Sequence, residues 1–255
     1  MRQTFASISH VLLDIEGTTC PVSFVSQTLF PYARHHLETF LQEHFNDAQV
    51  RALVEEVERE WQLDTNPEAI RLRAGVLDEP VVSQELHERV VPYLNWLIQT
   101  DRKLTALKEL QGLIWEEGYG RGLLTAPLYA DVPASLRHWR SQGQTLAVYS
   151  SGSVKAQQLL YAYSSAGDLR ALFSHWFDTR IGLKQQPASY ERICQLMQVP
   201  TFAVLFISDS AGELEAAQQA GLPILQSQRG GELQGQRATC PGIQSFAEVS
   251  IQPAP

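Results

Sequence analysis

The sequence predicts an α/β protein: a doubly wound, mostly parallel sheet interrupted by an inserted all-helical domain. Three observations predict it. Short apolar runs at 11–13 (VLL), 146–149 (LAVY) and 203–207 (AVLFI) each end in small or acidic residues. Runs of that length, rich in aliphatic residues, suit strands buried on both faces. Helical patterns alternate with them, which implies parallel strands joined by crossovers. Third, residues from about 23 to 124 have helical periodicity almost throughout, too long for a crossover and too regular for a loop.

In chain order, the first strand is 11–13. Phe24, Leu29, Leu37, Phe40 and Leu41 then suit one amphipathic helix, and Val50, Leu53, Val54 and Val57 a second. A third is expected over 86–98, broken near Pro92. A fourth is expected over 101–117, with Asp101 as N-cap and Gly118 as its end. The strands at 146–149 and 203–207 follow, and a weaker one is predicted at 221–225 (GLPIL). The tail from Gly231 is turn-rich, and its last residues are expected to be mobile. The domains are thus a core of 1–20 plus 125–255 and a helical cap of 21–124.

The 255-residue chain is long enough for one large core or two smaller ones, and its net charge of −8 argues against nucleic acid or an anionic membrane. Its first residues hold no apolar h-region, and no apolar stretch is long enough to span a bilayer. Cys20, Cys194 and Cys240 are far apart without a CxxC pair, so a reducing, cytoplasmic setting and inert thiols are expected.

The chemistry is concentrated at predicted strand ends. Asp14 and Glu16 leave the first strand one residue apart, in HVLLDIEGTTCP. Their carboxyl groups can face one small volume, and that crowding is unfavourable without a cation or a shared proton. Ser150 and Ser151 end a second strand and Asp209 a third; Lys184 lies between, in GLKQQ. In a doubly wound sheet, ligands bind beyond these ends. Asp14 and Asp209 can hold a hard cation such as Mg²⁺, while a hydroxyl and an ammonium can hold a phosphate. A carboxylate can attack phosphorus, and a second acid can protonate the leaving alcohol and then activate water.

The ordered pieces DIEGTT, YSSGS, GLKQQ and SDSAGE resemble the motifs of the haloacid-dehalogenase superfamily. Glu16, together with residues 21–41, 101–122 and 128–139, narrows the resemblance to the enolase-phosphatase E1 family of methionine salvage. It covers nearly the whole chain and weakens after about Gln226. It implies that Asp14 is nucleophile and metal ligand, that Glu16 is acid/base with its main-chain carbonyl on the metal, and that Asp209 completes an Mg²⁺ site. It also implies that Ser150, Ser151 and Lys184 bind phosphate, with Lys184 orienting the nucleophile. The implied substrate is 2,3-diketo-5-methylthiopentyl 1-phosphate, enolised and dephosphorylated to an acireductone beneath a closing cap. The expected partner is therefore this small phosphorylated diketone, with no nucleic acid, no membrane and a monomeric state. The alternatives are a general sugar-phosphate phosphatase, a carbon–halogen or phosphonate hydrolase, and a non-catalytic binder.

Each residue also has a plainer reading. Asp14 and Glu16 read alternatively as a solvated strand-exit loop. The run Ser150–Ser153 can be a turn and N-cap, Lys184 a surface lysine with Lys155 as its rival, and Asp209 an N-cap. Glu213 divides evenly between orienting a ligand and decorating a helix face. Trp96, Trp115 and Tyr119 read as helical core rather than a substrate box, and Arg229 as a solvated loop residue rather than an anion binder. The histidines, His35 and His36 among them, lack metal-ligand spacing such as HExxH, so no zinc site is expected.

Overall fold

The apolar runs become neighbouring parallel strands. The protein, a computed structural model, is described at residues 3–78, 85–100, 102, 104–229 and 240–252. It forms two compact units, 1–25 with 125–255, and 26–124. The first unit is built on β1 (Gln3–Phe5), β2 (His10–Leu13), β3 (Thr145–Tyr149), β4 (Phe173–Phe177), β5 (Val204–Ser208), β6 (Ile224–Ser227), β7 (Gly242–Ile243) and β8 (Val249–Ile251). Its main sheet has the order β4-β3-β2-β5-β6-β7, and β1 pairs with β8 separately. Every ladder is parallel.

Central placement explains the composition of β2, whose Val11, Leu12 and Leu13 are fully buried between β3 and β5. Successive side chains alternate in direction. Leu12, Tyr149 and Phe206 accordingly share one core with Tyr190 and Ile193 of α9 (Pro187–Met197) and Leu214 of α10 (Ala211–Gln219). Strand β3 is packed by α7 (Val132–Ser141), and β4 by α8 (Val154–Ala162). A short α1 (Val22–Phe24) follows the first motif and runs into a π-turn, Val25–Leu29.

The helical unit comprises α2 (Phe30–His44), α3 (Ala48–Leu63), α4 (Pro67–Asp78), α5 (Leu86–Gln99) and α6 (Thr105–Gly120). Helices α2 and α3 each pack on both α5 and α6. The Asp47 carboxylate caps α3 by accepting from the Gln49 and Val50 N–H groups. Trp61 stacks on Tyr93 at 5.0 Å, and Trp115 donates its indole N–H to the Leu29 carbonyl at 2.8 Å. Trp115 and Tyr119 are buried and Trp96 half-buried against Tyr93, as core reading requires.

Several boundaries differ from expectation. Helix α5 runs straight through Pro92, because Val90, Tyr93, Leu94 and Leu97 bury one continuous face. Helix α6 begins at Thr105 with Leu104 as N-cap; Asp101 lies outside the described residues. Gly118 does not end α6. It sits inside the helix, where a Cβ would come 2.7 Å from the Tyr32 ring, and Gly122, at φ +71°, makes the left-handed turn. The weak strand starts three residues late, since Gly221 is at φ +86° and Pro223 follows. Part of the tail is ordered as β7 and β8; residues 230–239 and 253–255 lie outside the described residues. No described helix is long and apolar enough to cross a membrane.

Candidate active site

Three adjacent strand ends assemble the cluster. Asp14 leaves β2 still in register, donating its N–H to the Ile207 carbonyl at 3.0 Å, and its side chain is buried. Asp209 leaves β5 on one side and Ser150 leaves β3 on the other. The order β3-β2-β5 thus brings Ser150, Asp14 and Asp209 to one edge. After Asp14 the chain turns sharply, with Gly17 donating to the Cys20 carbonyl at 2.8 Å. Gly17 is at φ +69°, and a Cβ there would overlap the Asp209 carboxylate. Glycine is therefore required twice, by conformation and by space.

Lys184 is carried in from the loop before α9. Its ammonium lies 2.6 Å from Asp14 Oδ1 and 2.6 Å from Glu213 Oε2. The Tyr190 hydroxyl fixes its main chain by donating to the Lys184 carbonyl at 2.7 Å, and the Tyr149 ring lies 5.7 Å from the ammonium. Ser208 Oγ closes the ring, 3.3 Å from Asp14 Oδ2 and 3.0 Å from Glu213 Oε2. Lys155, the rival, is exposed, whereas Lys184 is 8% exposed and paired with Asp14.

The electrostatics are unbalanced. Burial opposes the charge of Lys184, but Asp14 and Glu213 outweigh it and hold the ammonium protonated, raising its pKa. Burial, with Asp14 beside it, pushes Asp209 up to about 6. Burial and Asp14 likewise push Glu213 up to about 7, against the pull of Lys184. One cation thus faces three carboxylates, Asp14 buried and Asp209 and Glu213 half-buried. A hard divalent cation suits carboxylate oxygens with this excess of negative charge.

Ser150 is 4% exposed, and its Oγ accepts from the Gly152 N–H at 3.3 Å; Ser151 is exposed. The N-cap of α8 is Ser153, whose Oγ accepts from the Ala156 N–H, so neither Ser150 nor Ser151 is used for capping. Glu16 is half-buried, and its main chain bridges to Cys20. Burial and Glu16 push the Cys20 thiol up to about 12, so it is inert near neutrality.

Of its two readings, Glu213 fits the orienting one: it is half-buried rather than on a solvated helix face, and its carboxylate lies 2.6 Å from the Lys184 ammonium. Its position in the first turn of α10 resembles ordinary capping, and only the depth of that helix end distinguishes the two. Arg229 is not a solvated loop residue. Its side chain is 4% exposed, ion-paired to Asp131, and lies 4.5 Å from the Tyr129 ring and 4.7 Å from the Phe246 ring. Ser208 was missed entirely, since a serine ending a strand carries no signal of its own.

A profile of the haloacid dehalogenase-like hydrolases matches residues 8–221. The chain is 48% identical over 249 residues to the enolase-phosphatase E1 of Synechococcus sp. (strain RCC307), covering 98% of this chain and 96% of that one. With the enolase-phosphatase E1 of Pseudomonas aeruginosa (strain LESB58) it shares 42% identity over 247 residues, covering 96% and 100%. Among solved structures, the UTR4 protein of Saccharomyces cerevisiae matches with a TM-score of 0.73 at 30% identity, covering 94% of this chain and 98% of that one. Similarity of that extent, over the same chain that brings Asp14, Lys184 and Asp209 to neighbouring strand ends, places this protein in the enolase-phosphatase E1 family of the haloacid dehalogenase-like hydrolases.

Proposed function

We propose that this enzyme enolises 2,3-diketo-5-methylthiopentyl 1-phosphate and removes its phosphate, yielding an acireductone in methionine salvage. The reading rests on the named relatives and on one observation, the Asp14–Lys184–Glu213 cluster at the strand ends, with Asp14 and Lys184 buried. Phosphatases of this family are generally metal-dependent. The acid-rich, under-compensated strand ends fit Mg²⁺, which Asp14, Asp209 and the main-chain carbonyl of Glu16 would hold. When bound, that ion offsets the repulsion between a carboxylate and a phosphate and stabilises the transferring group.

The chain's own residues do the rest. Asp14 attacks phosphorus, forming an aspartyl-phosphate as the bond to the substrate oxygen breaks. Glu16 gives its proton to that leaving oxygen. It then takes a proton from the water that attacks the same phosphorus and frees Asp14. Lys184, with Ser150 and Ser151, holds the phosphate oxygens, and Glu213 keeps the Lys184 ammonium in place. A cytoplasmic monomer is part of this reading, consistent with three free, widely spaced cysteines.

The test is simultaneous measurement of phosphate release and enol absorbance with the diketone phosphate and Mg²⁺. Both signals from wild type, and neither after chelation, are expected. Phosphate release without the enol, or a stronger preference for sugar phosphates, would replace the substrate assignment.

A further inference from the structure

We propose that the helical unit carries a second metal site, formed by Glu43, His44 and Glu117 and suited to a divalent transition ion such as zinc. His44 Nε2 lies 3.1 Å from Glu117 Oε2, and one donor atom from each of the three residues lies within 4.8 Å of the others. Two donors held about 2.0–2.1 Å from one ion at a tetrahedral angle stand about 3.3 Å apart. The His44–Glu117 pair already has nearly that spacing, and the exposed Glu43 side chain can swing to complete a trio.

The surroundings independently favour a cation. Glu43 and His44 are the last two residues of α2, and Glu117 lies in the last turn of α6. Helix C-termini carry partial negative charge, so two of them add to the two carboxylates. Arg121 Nη1 donates to Glu117 Oε1 at 2.9 Å, which leaves Oε2 turned towards His44. Such outer hydrogen bonds are what orient a ligating carboxylate. Glu43 and Glu117, though not His44, line a cavity of about 340 Å³ with Tyr32, His36 and Arg121, which leaves room for waters on the carboxylate side of the trio. An imidazole among the donors selects zinc-like ions over Mg²⁺ or Ca²⁺, which prefer oxygen alone. No sequence spacing announces the site, because 73 residues separate His44 from Glu117.

Calorimetric titration of the untagged full-length protein with Zn²⁺, under saturating Mg²⁺, tests the proposal. One Zn²⁺ is expected to bind. His44→Ala and Glu117→Gln should each weaken it by about tenfold or more, while His36→Ala and Asp209→Asn leave it intact. Absence of binding, wild-type affinity in folded His44→Ala and Glu117→Gln, or loss in His36→Ala or Asp209→Asn instead, each overturns it.

Discussion

Two buried ion-pair clusters occupy the core unit, and they differ in their charge balance. Asp131 and Arg229 match one for one. Burial opposes the Asp131 charge, but Arg229 and the Phe246 N–H hold its carboxyl below the usual range. Around Lys184, a single ammonium meets Asp14, Glu213 and the nearby Asp209, and the latter two are pushed upward. Burial alone therefore does not mark a site. A balanced pair fixes the fold; an unbalanced one has an excess of negative charge that suits a further cation.

The comparison can be broken by mutation. The largest expected effect is in Asp14→Asn, whose amide cannot attack phosphorus; phosphate release should fall to background, and residual release above roughly a tenth of wild type would mean another nucleophile. Next is Glu16→Gln, with a loss of about a hundredfold to ten-thousandfold on an alkyl phosphate. An aryl phosphate, whose leaving group needs little protonation, should lose much less in the first step, and rapid-quench mass analysis should find aspartyl-phosphate on Asp14. Equal losses without that adduct would leave Glu16 a metal-orienting residue.

The balanced pair should respond in stability instead. Asp131→Asn strands a buried guanidinium and should lower unfolding free energy by about 3–5 kcal/mol, with turnover per folded molecule retained. A loss of turnover at unchanged stability would move Arg229 into the active site.

The unbalanced cluster gives a smaller, pH-dependent effect in metal-free protein. Asp209 at about 6 and Glu213 at about 7 both bind protons more tightly folded than unfolded. In the window between their unfolded values and 7, the native state thus holds more protons, and stability falls as pH rises. Melting temperature should climb as pH drops from above 7 to below 6, and added Mg²⁺ should stabilise most at the higher pH. The opposite slope would mean these acids are already compensated. Smallest of all, Lys155→Met should change stability by no more than about 0.5 kcal/mol and leave phosphate release unaltered.

What the sequence made legible follows from burial. Strands β2, β3 and β5 are covered on both faces, so they read as apolar runs ending at Asp14, Ser150 and Asp209. Strand β4 is an edge strand whose FSHWF mixes exposed and buried positions, and it leaves no such run. Helix α4 was not predicted, and its Ile70 is 46% exposed, which blurs any apolar stripe. Depth was the missing quantity for Arg229 and Glu213, because an arginine or a glutamate has the same identity in solvent and in a core. Lys184 and Asp14, 170 positions apart, became adjacent to the eye only through an ordered set of motifs.

Gly17 gives the motif loop a property that its neighbours lack. Its missing side chain leaves the volume into which the Asp209 carboxylate settles, so the spacing between two loops is set by an absence. A single methyl group there would push against the second loop while leaving every acid and hydroxyl of the cluster chemically unchanged. The distance between the Asp14 and Asp209 loops is thus open to grading at a position that contributes no side chain to the cluster.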